Sequence, residues 1–306
     1  MLIDTGNSQL KWVILFRKHP GAKLLATNNK VDVKDVLSKH KEWYLKKLIL
    51  RSLKKLRKYS ADNTELAQMR ENASVSIASV APNALNEVVA EELGTVFPQQ
   101  NIRFVRTENN HEIITGSNNK LVFKINRENP KALGVDRWLA MIGLIEYLAK
   151  KKINTVFILS VGTATVLDKI TIKKNKQATH TQEIIHEGGY IIPGFSFMES
   201  SLEFLISQAE TKSFKPMEFP SCTHESVLSG ICIVQAAISF ITKSTTPVFL
   251  YGGNLDKFLA AWSLTKKLMQ KESKIIVDPW LVFKGLNQLA DGHPSRHCSQ
   301  DFLQNS

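Results

Sequence analysis

The chain has 306 residues, 43% of them hydrophobic, enough to build a sizeable core in one large domain or two medium ones. Its net charge of +12 and pI near 9.5 favour anionic partners without fixing a fold. No apolar run approaches the ~18–20 residues of a membrane span, no signal sequence precedes the first strand, and Cys222, Cys232 and Cys298 are too few and scattered for a disulfide framework or metal cluster, so the expectation is a cytoplasmic protein with incidental thiols and no membrane partner.

Residues 2–5 and 9–16 read as two strands joined by the turn TGNS. Residues 31–58 read as one or two helices, in which Leu45, Leu48, Ile49, Leu53 and Leu56 recur at helical spacing between Lys46, Lys47, Arg51, Lys54, Lys55, Arg57 and Lys58. An apolar stripe of this kind usually packs on a sheet and leaves the basic face solvated. Residues 73–80 alternate like a strand, 83–93 follow a helical pattern and 101–106 form a short strand. Residues 107–120 are polar and read as a loop, and residues 132–151 form a strong helix.

The second half restarts the pattern. A strand at 153–159 runs into SVGTATVLD and a further strand through Ile172. After the polar stretch KKNKQATHTQ, EGGYIIPG reads as a strand closed by a turn. Helices are expected near 196–209 and 224–242, a strand in TPVFLYGGN, a helix from Leu255 to Gln270, a strand in KIIVDPW and a last helix in LVFKGLNQLA. Both halves therefore run strand–turn–strand and then alternate helix and strand, which argues for an α/β fold of two related lobes with a ligand cleft between them. The division expected is residues 1–130, residues 131–292 and a disordered tail over 293–306.

The chemistry gathers in the turns. A glycine turn between strands frees backbone N–H groups to face an anion. Gly6 allows close approach of a phosphate, Asn7 and Ser8 add donors, Lys11 adds a point charge, and Asp4 can hold a hydrated Mg²⁺ against phosphate oxygens. Residues 162–165 make a second such turn, and two turns facing across a cleft form a clamp for a nucleotide triphosphate.

DTGNSQLKW at 4–12, IASVAP at 77–82, LGVDRW at 133–138, GTA at 162–164, GGYIIPG at 188–194, THESVLSG at 223–230 and YGGN at 251–254 together resemble the type III pantothenate kinases, from Leu2 to about Leu289. The resemblance implies an actin-like (ribonuclease H-like) fold with an interlobe nucleotide cleft, and transfer of the γ-phosphoryl group of ATP to pantothenate, the first step towards coenzyme A. It implies Mg²⁺, a monovalent cation such as K⁺ or NH₄⁺, and a homodimer with substrate near the dimer interface. Carried over residue by residue, Asp4, Thr5, Gly6, Asn7, Ser8, Gln9, Leu10 and Lys11 would form the phosphate loop, and Thr163 would touch ATP. Gly134, Val135, Asp136 and Arg137 would hold pantothenate with Asp136 as proton acceptor, and Thr223 would contact the same substrate. Arg137 suits either the pantothenate carboxylate or a phosphate, because its fork fits both.

Three positions depart from the family. Ser160 stands where an Asp usually holds the monovalent cation, Arg127 where a substrate-contacting Tyr is common, and Asn254 where an acid usually follows the glycines of the late turn. A neutral hydroxyl is a weaker ligand for a hard cation, so the expectation is a working kinase with altered cation dependence. The alternatives are a relative that binds ligand without turnover and a regulatory, transcription-accessory relative whose basic helix binds nucleic acid; no helix-turn-helix or zinc-finger spacing supports sequence-specific readout.

Overall fold

The computed structural model describes residues 1–16, 25–56, 70–114, 120–126, 128–151, 153–174, 181–205 and 216–290. The N-terminal sheet contains β1 (Leu2–Thr5), β2 (Gln9–Phe16), β3 (Leu25–Asp32), β4 (Val75–Ser79) and β5 (Ile102–Phe104), in the order β3-β2-β1-β4-β5. β1 to β3 form an antiparallel meander, and β4 and β5 continue parallel to β1. The second sheet contains β6 (His111–Ile114), β7 (Lys120–Ile125), β8 (Thr155–Val161), β9 (Ala164–Lys174), β10 (Thr181–Pro193), β11 (Pro247–Gly252) and β12 (Lys274–Val277), in the order β12-β11-β8-β9-β10-β7-β6. Here β8 to β10 are the meander, and β11 and β12 run parallel to β8. The plan of the first sheet is thus built a second time, with β6 and β7 added at one edge.

The helices are α1 (Val33–Ser38), α2 (Tyr44–Leu56), α3 (Asn83–Gly94), α4 (Val135–Lys151), α5 (Phe195–Ser201), α6 (Thr223–Ala237), α7 (Leu255–Met269) and α8 (Leu281–Ala290). Strand alternation sorts the layers. Ile3, Leu10, Trp12 and Ile77 face a cluster with Leu45, Ile49 and Leu53 of α2 and Leu85 and Val89 of α3. Leu2, Val13 and Ala78 face the opposite side, joining α4 and α8 in a cluster that also takes Val156, Ile158 and Phe249 from the second sheet. Leu159, Val161 and Leu250 point away from it, onto α5, α6 and α7. The α4–α8 pair is therefore sandwiched between the sheets, and residues of the parity of Leu2, Val156 and Phe249 face this middle layer.

Several expectations change. The stretch 31–58 forms two helices, one of the two arrangements expected, but Val31 and Asp32 belong to β3, and the chain breaks between α1 and α2 with Trp43 in the left-handed region at φ 55°. The polar loop 107–120 contains β6, whose pairing with β7 substitutes for an apolar pattern. Because β6 and β7 hydrogen-bond into the second sheet, the break between sheets falls between Phe104 and His111, ahead of the expected division at residue 130. The segment Thr223–Ile241 spans 19 residues with mean hydropathy 1.5, long and apolar enough for a membrane span, where the sequence reading expected none. Its Ile231, Cys232, Ala236 and Ile238 are buried against the second sheet. Arg127, the end of the basic stripe at Arg57 and Lys58, and the tail after Gly292 lie outside the described residues.

Candidate active site

The turn between β1 and β2 closes with the Gly6 N–H donating to the Gln9 carbonyl at 3.0 Å. The turn between β8 and β9 is tighter, the Gly162 N–H donating to the Ala164 carbonyl two residues on at 3.0 Å. The two turns meet: Ser8 Oγ lies 3.0 Å from Thr163 Oγ1, and both side chains are exposed. A third turn abuts them after β11. Asn254 donates its backbone N–H to the Val161 carbonyl at 3.0 Å and its Nδ2 to the Gly162 carbonyl at 3.1 Å. Gly252, at φ 125°, is pressed so closely on Val161 that a Cβ would sit 2.3 Å from its carbonyl oxygen. Gly194 likewise leaves no room, since its Cβ would lie 2.5 Å from the carbonyl oxygens of both Gly162 and Thr163. Gly194 just after β10 and Gly252 at the end of β11 thus hold the β8–β9 turn from two sides.

Beneath the turns, alternation aims Asp4 at the middle layer, opposite Lys11 in the antiparallel register. Burial pushes the Asp4 carboxyl up to about 6, opposed by the Lys11 charge and reinforced by that of Asp136. Asp136 lies in the first turn of α4. Its Oδ1 accepts the Arg137 N–H at 2.8 Å and lies over Gly134, where a Cβ would be 2.7 Å away. Burial raises its proton affinity, against the Arg137 N–H and charge. Two carboxylates with raised pKa values therefore face the space under the paired turns. Val135 is buried in the middle layer, while Thr5 is fully buried in β1 with no partner for its hydroxyl among the described residues. Leu10 points to the other face of the sheet, so only its backbone serves the turn.

Arg137 is 9% exposed and committed to a partner that sequence reasoning missed. Its Nε donates to Asp168 Oδ2 at 2.9 Å and its Nη2 to Oδ1 at 2.6 Å, a bidentate pair. The fully buried His186 places Nε2 2.8 Å from the same Oδ1. Burial alone would raise the Asp168 pKa, but the bonds from His186 and Arg137 outweigh it and hold the carboxyl below its ordinary value. A Leu-Asp-Lys run inside a strand gives no hint of this partner; the face it occupies does, since Asp168 has the parity of Ile170, which points to the middle layer.

Ser160 and Tyr251 are opposite one another in the parallel register of β8 and β11, on the same face. The phenol is buried; burial and the charges of Asp136, Asp168 and Asp4 raise its pKa well above 10, against the opposing influence of the neighbouring Ser160. Thr223 opens α6 and is exposed, and no hydrogen bond joins it to Asp4 or Asp136 among the described residues. A cavity of about 340 Å³ beside β7 and β10 is lined by Asn109, Lys124, Asn126, Lys173 and Glu187, but by none of the residues singled out from the sequence.

A meander built twice, a helix pair between the two sheets and tight turns meeting at Ser8 and Thr163 define a two-lobed α/β protein with the actin-like fold. A putative 2-dehydro-3-deoxygalactonokinase from Sinorhizobium meliloti has this fold, with a TM-score of 0.51 at 12% identity over 97% of this chain and 98% of its own. Residues 1–244 match the type III pantothenate kinase family, and the chain belongs to that family. Type III pantothenate kinases of Colwellia psychrerythraea, 24% identical over 95% of this chain and 99% of their own length, and of Teredinibacter turnerae, 23% identical over 94% and 96%, are similar along nearly their whole length. The chain is accordingly a kinase by family.

Proposed function

We propose that this chain transfers the γ-phosphoryl group of ATP to the primary hydroxyl of pantothenate, giving 4′-phosphopantothenate. The observation that carries this reading is the Ser8–Thr163 contact, which joins two anion-binding turns above Asp4 and Asp136. In this reading the backbone N–H groups of Asn7 and Ser8 and the Thr163 hydroxyl grip the phosphates, and Lys11 adds charge. Phosphoryl transfer is mostly positioning and charge stabilisation. The pantothenate oxygen bonds to the γ-phosphorus, the bond to the bridging oxygen breaks, ADP leaves with that electron pair, and Asp136 accepts the hydroxyl proton. A raised proton affinity suits Asp136 to that task.

Mg²⁺ brought by ATP would neutralise phosphate charge. Asp4 fits it as a hard oxygen ligand, acting through water, whose high proton affinity marks an anion in want of a cation. A monovalent cation at Ser160 does not fit the residues present: the position offers a neutral hydroxyl opposite a buried phenol. We therefore expect weak dependence on K⁺ or NH₄⁺. Gly134 and Val135 would line the pantothenate site by their backbone. Thr223 would reach that site from a second subunit of a homodimer. Exposed Tyr190, Ile191, Phe197, Phe204 and Val234, on the packed elements β10, α5 and α6 and the turn after α5, offer an apolar face for such a dimer. ATP and pantothenate would be met in the cytoplasm.

Purified protein with ATP, Mg²⁺ and labelled pantothenate tests the reading. Formation of 4′-phosphopantothenate is expected; none, with or without K⁺ or NH₄⁺, removes it. A second reading rests on α2, whose Leu45, Ile49 and Leu53 are buried while Lys47, Arg51, Lys54 and Lys55 stay exposed, a face suited to nucleic-acid phosphates. A salt-sensitive gel shift is its signature, and no shift at low salt eliminates it.

A further inference from the structure

We propose that Asp168 and His186 are positioning residues, which lock Arg137 as a strut so that the first turn of α4 presents Asp136 at a fixed place under the paired turns. The proposal rests on the kinase reading above for the identity of the reaction, but its geometry is independent of it.

The chain is built around this contact. Asp168 lies on β9, and its carboxylate takes three donors: Arg137 Nε at 2.9 Å, Arg137 Nη2 at 2.6 Å and His186 Nε2 at 2.8 Å. The partner strand bends to deliver the imidazole. The β9–β10 register shifts between His186 and Gly188, and Gly188 adopts φ 107°. Gly189 then clears room for the carboxylate, because a Cβ there would lie 2.7 Å from Asp168 Oδ1 and 2.2 Å from the Leu167 carbonyl oxygen. A bulge and two glycines are thus spent on placing one buried histidine against one buried aspartate.

The other end of the strut is Asp136. Arg137 donates its backbone N–H to Asp136 Oδ1, and the Trp138 N–H donates to the Gly134 carbonyl at 3.1 Å. A side chain anchored in the second sheet and a backbone bonded to the neighbouring carboxylate fix that carboxylate in direction as well as place. With Nε and Nη2 both spent on Asp168, the guanidinium fork is turned into the protein rather than towards an anionic ligand. The charged and titratable groups that act on Asp136 are Arg137 on its own helix, Asp168 on β9, Asp4 on β1 and Tyr251 on β11. Misplacing a reacting group by about 1 Å can cost on the order of a hundredfold in rate, so a strut of this kind acts on turnover before it acts on affinity.

The test compares Asp168→Asn, His186→Leu and His186→Gln, the last of which keeps an N–H donor near the place of Nε2. Two measurements are made on full-length protein: kcat and KM with ATP and pantothenate, and hydrogen–deuterium exchange over residues 134–138. Expected are kcat losses of about ten- to hundredfold for Asp168→Asn and His186→Leu, with KM for ATP little changed, faster exchange confined to 134–138, and values near wild type for His186→Gln. Equal behaviour of the Leu and Gln variants overturns the proposal, as does exchange that rises alike through both lobes. If wild-type protein makes no 4′-phosphopantothenate, the kinase reading fails and the exchange data alone decide whether the strut exists. Should Asp168→Asn not fold, the two His186 variants carry the same comparison.

Discussion

The hydroxyls of Ser8 and Thr163 lie 3.0 Å apart although 155 positions separate them in the chain. Each belongs to the first tight turn of its own meander, so the contact joins the same element of two copies of one plan. Ser8→Ala and Thr163→Val should each raise KM for ATP about two- to tenfold, the worth of one side-chain hydrogen bond. Both side chains are exposed, so denaturation midpoints should hardly move. Steady-state kinetics beside urea melts check this; a loss of stability with unchanged KM would reverse the assignment of these hydroxyls to nucleotide binding.

Asp136→Asn should lower kcat by about 10²–10⁴, the usual worth of a general base, while pantothenate affinity measured by calorimetry stays close to wild type. The pH dependence follows from the sign of the shift. Burial raises the Asp136 pKa, so the carboxylate able to accept a proton disappears at a higher pH than an ordinary aspartate would allow. The acid limb of kcat/KM should therefore lie above the normal carboxylate range in wild type. An acid limb at an ordinary aspartate pKa contradicts the burial argument.

Most of the fold was legible because the strands that flank the turns keep strict alternation or dense apolar runs; β1, β2, β4, β8 and β11 all lie where the pattern expects them. Strands β3, β6 and β7 were not legible. LATNNKVD and HEII lack apolar alternation, and their strand state comes from hydrogen bonds to β2 and β7, which no local pattern encodes; KLVFKI does alternate, but it follows a polar stretch and is placed by its pairing with β6 and β10. The turns were legible through their glycines. The Arg137 partner was not, because an Asp in a mid-strand position reads as solvated until the opposite face is known to be a helix layer. His186 was hidden for the same reason, behind a bulge that breaks the alternation of β10.

Asp4 carries a stability cost that can be measured. Its folded-state pKa is raised from 3.8 to about 6. A raised carboxyl contributes stability that is fully present below the unfolded pKa and lost as pH rises through the folded one. At neutral pH the ionised form therefore opposes folding, by up to about 3 kcal/mol. Asp4→Asn should raise the melting temperature of the ligand-free, Mg²⁺-free protein at pH 8, with the gain fading towards pH 4, and should abolish turnover. Melts at several pH values check it; an equal or lower Tm at pH 8 would show that Lys11 neutralises the site more fully than burial charges it.

Gly194→Ala tests how tightly the second turn is held. The new Cβ would meet two backbone carbonyl oxygens at 2.5 Å, and backbone cannot rotate away as a side chain can. Overpacking of this kind costs about 1–3 kcal/mol and should push Thr163 away from Ser8. The expected result is a moderate fall in stability together with a rise in KM for ATP that exceeds that of Thr163→Val. Stability loss with normal nucleotide affinity would mean the turn relaxes in another direction.

Ser160→Asp probes the position from which the acid of the second turn is missing. Asp4, Asp136 and Asp168 already act on the Tyr251 phenol opposite Ser160, so a further carboxylate would enter a cluster short of positive charge. Without a counter-ion it should repel its neighbours and disturb the packing against Tyr251, lowering kcat. With K⁺ present the new carboxylate supplies the hard, charged ligand that a serine hydroxyl does not, and turnover should recover. Wild type should show little response over the same K⁺ series, with Na⁺ as the control. A variant whose rate and K⁺ response both equal those of wild type would separate position 160 from cation binding, and the altered cation dependence would then have to come from elsewhere in the cleft.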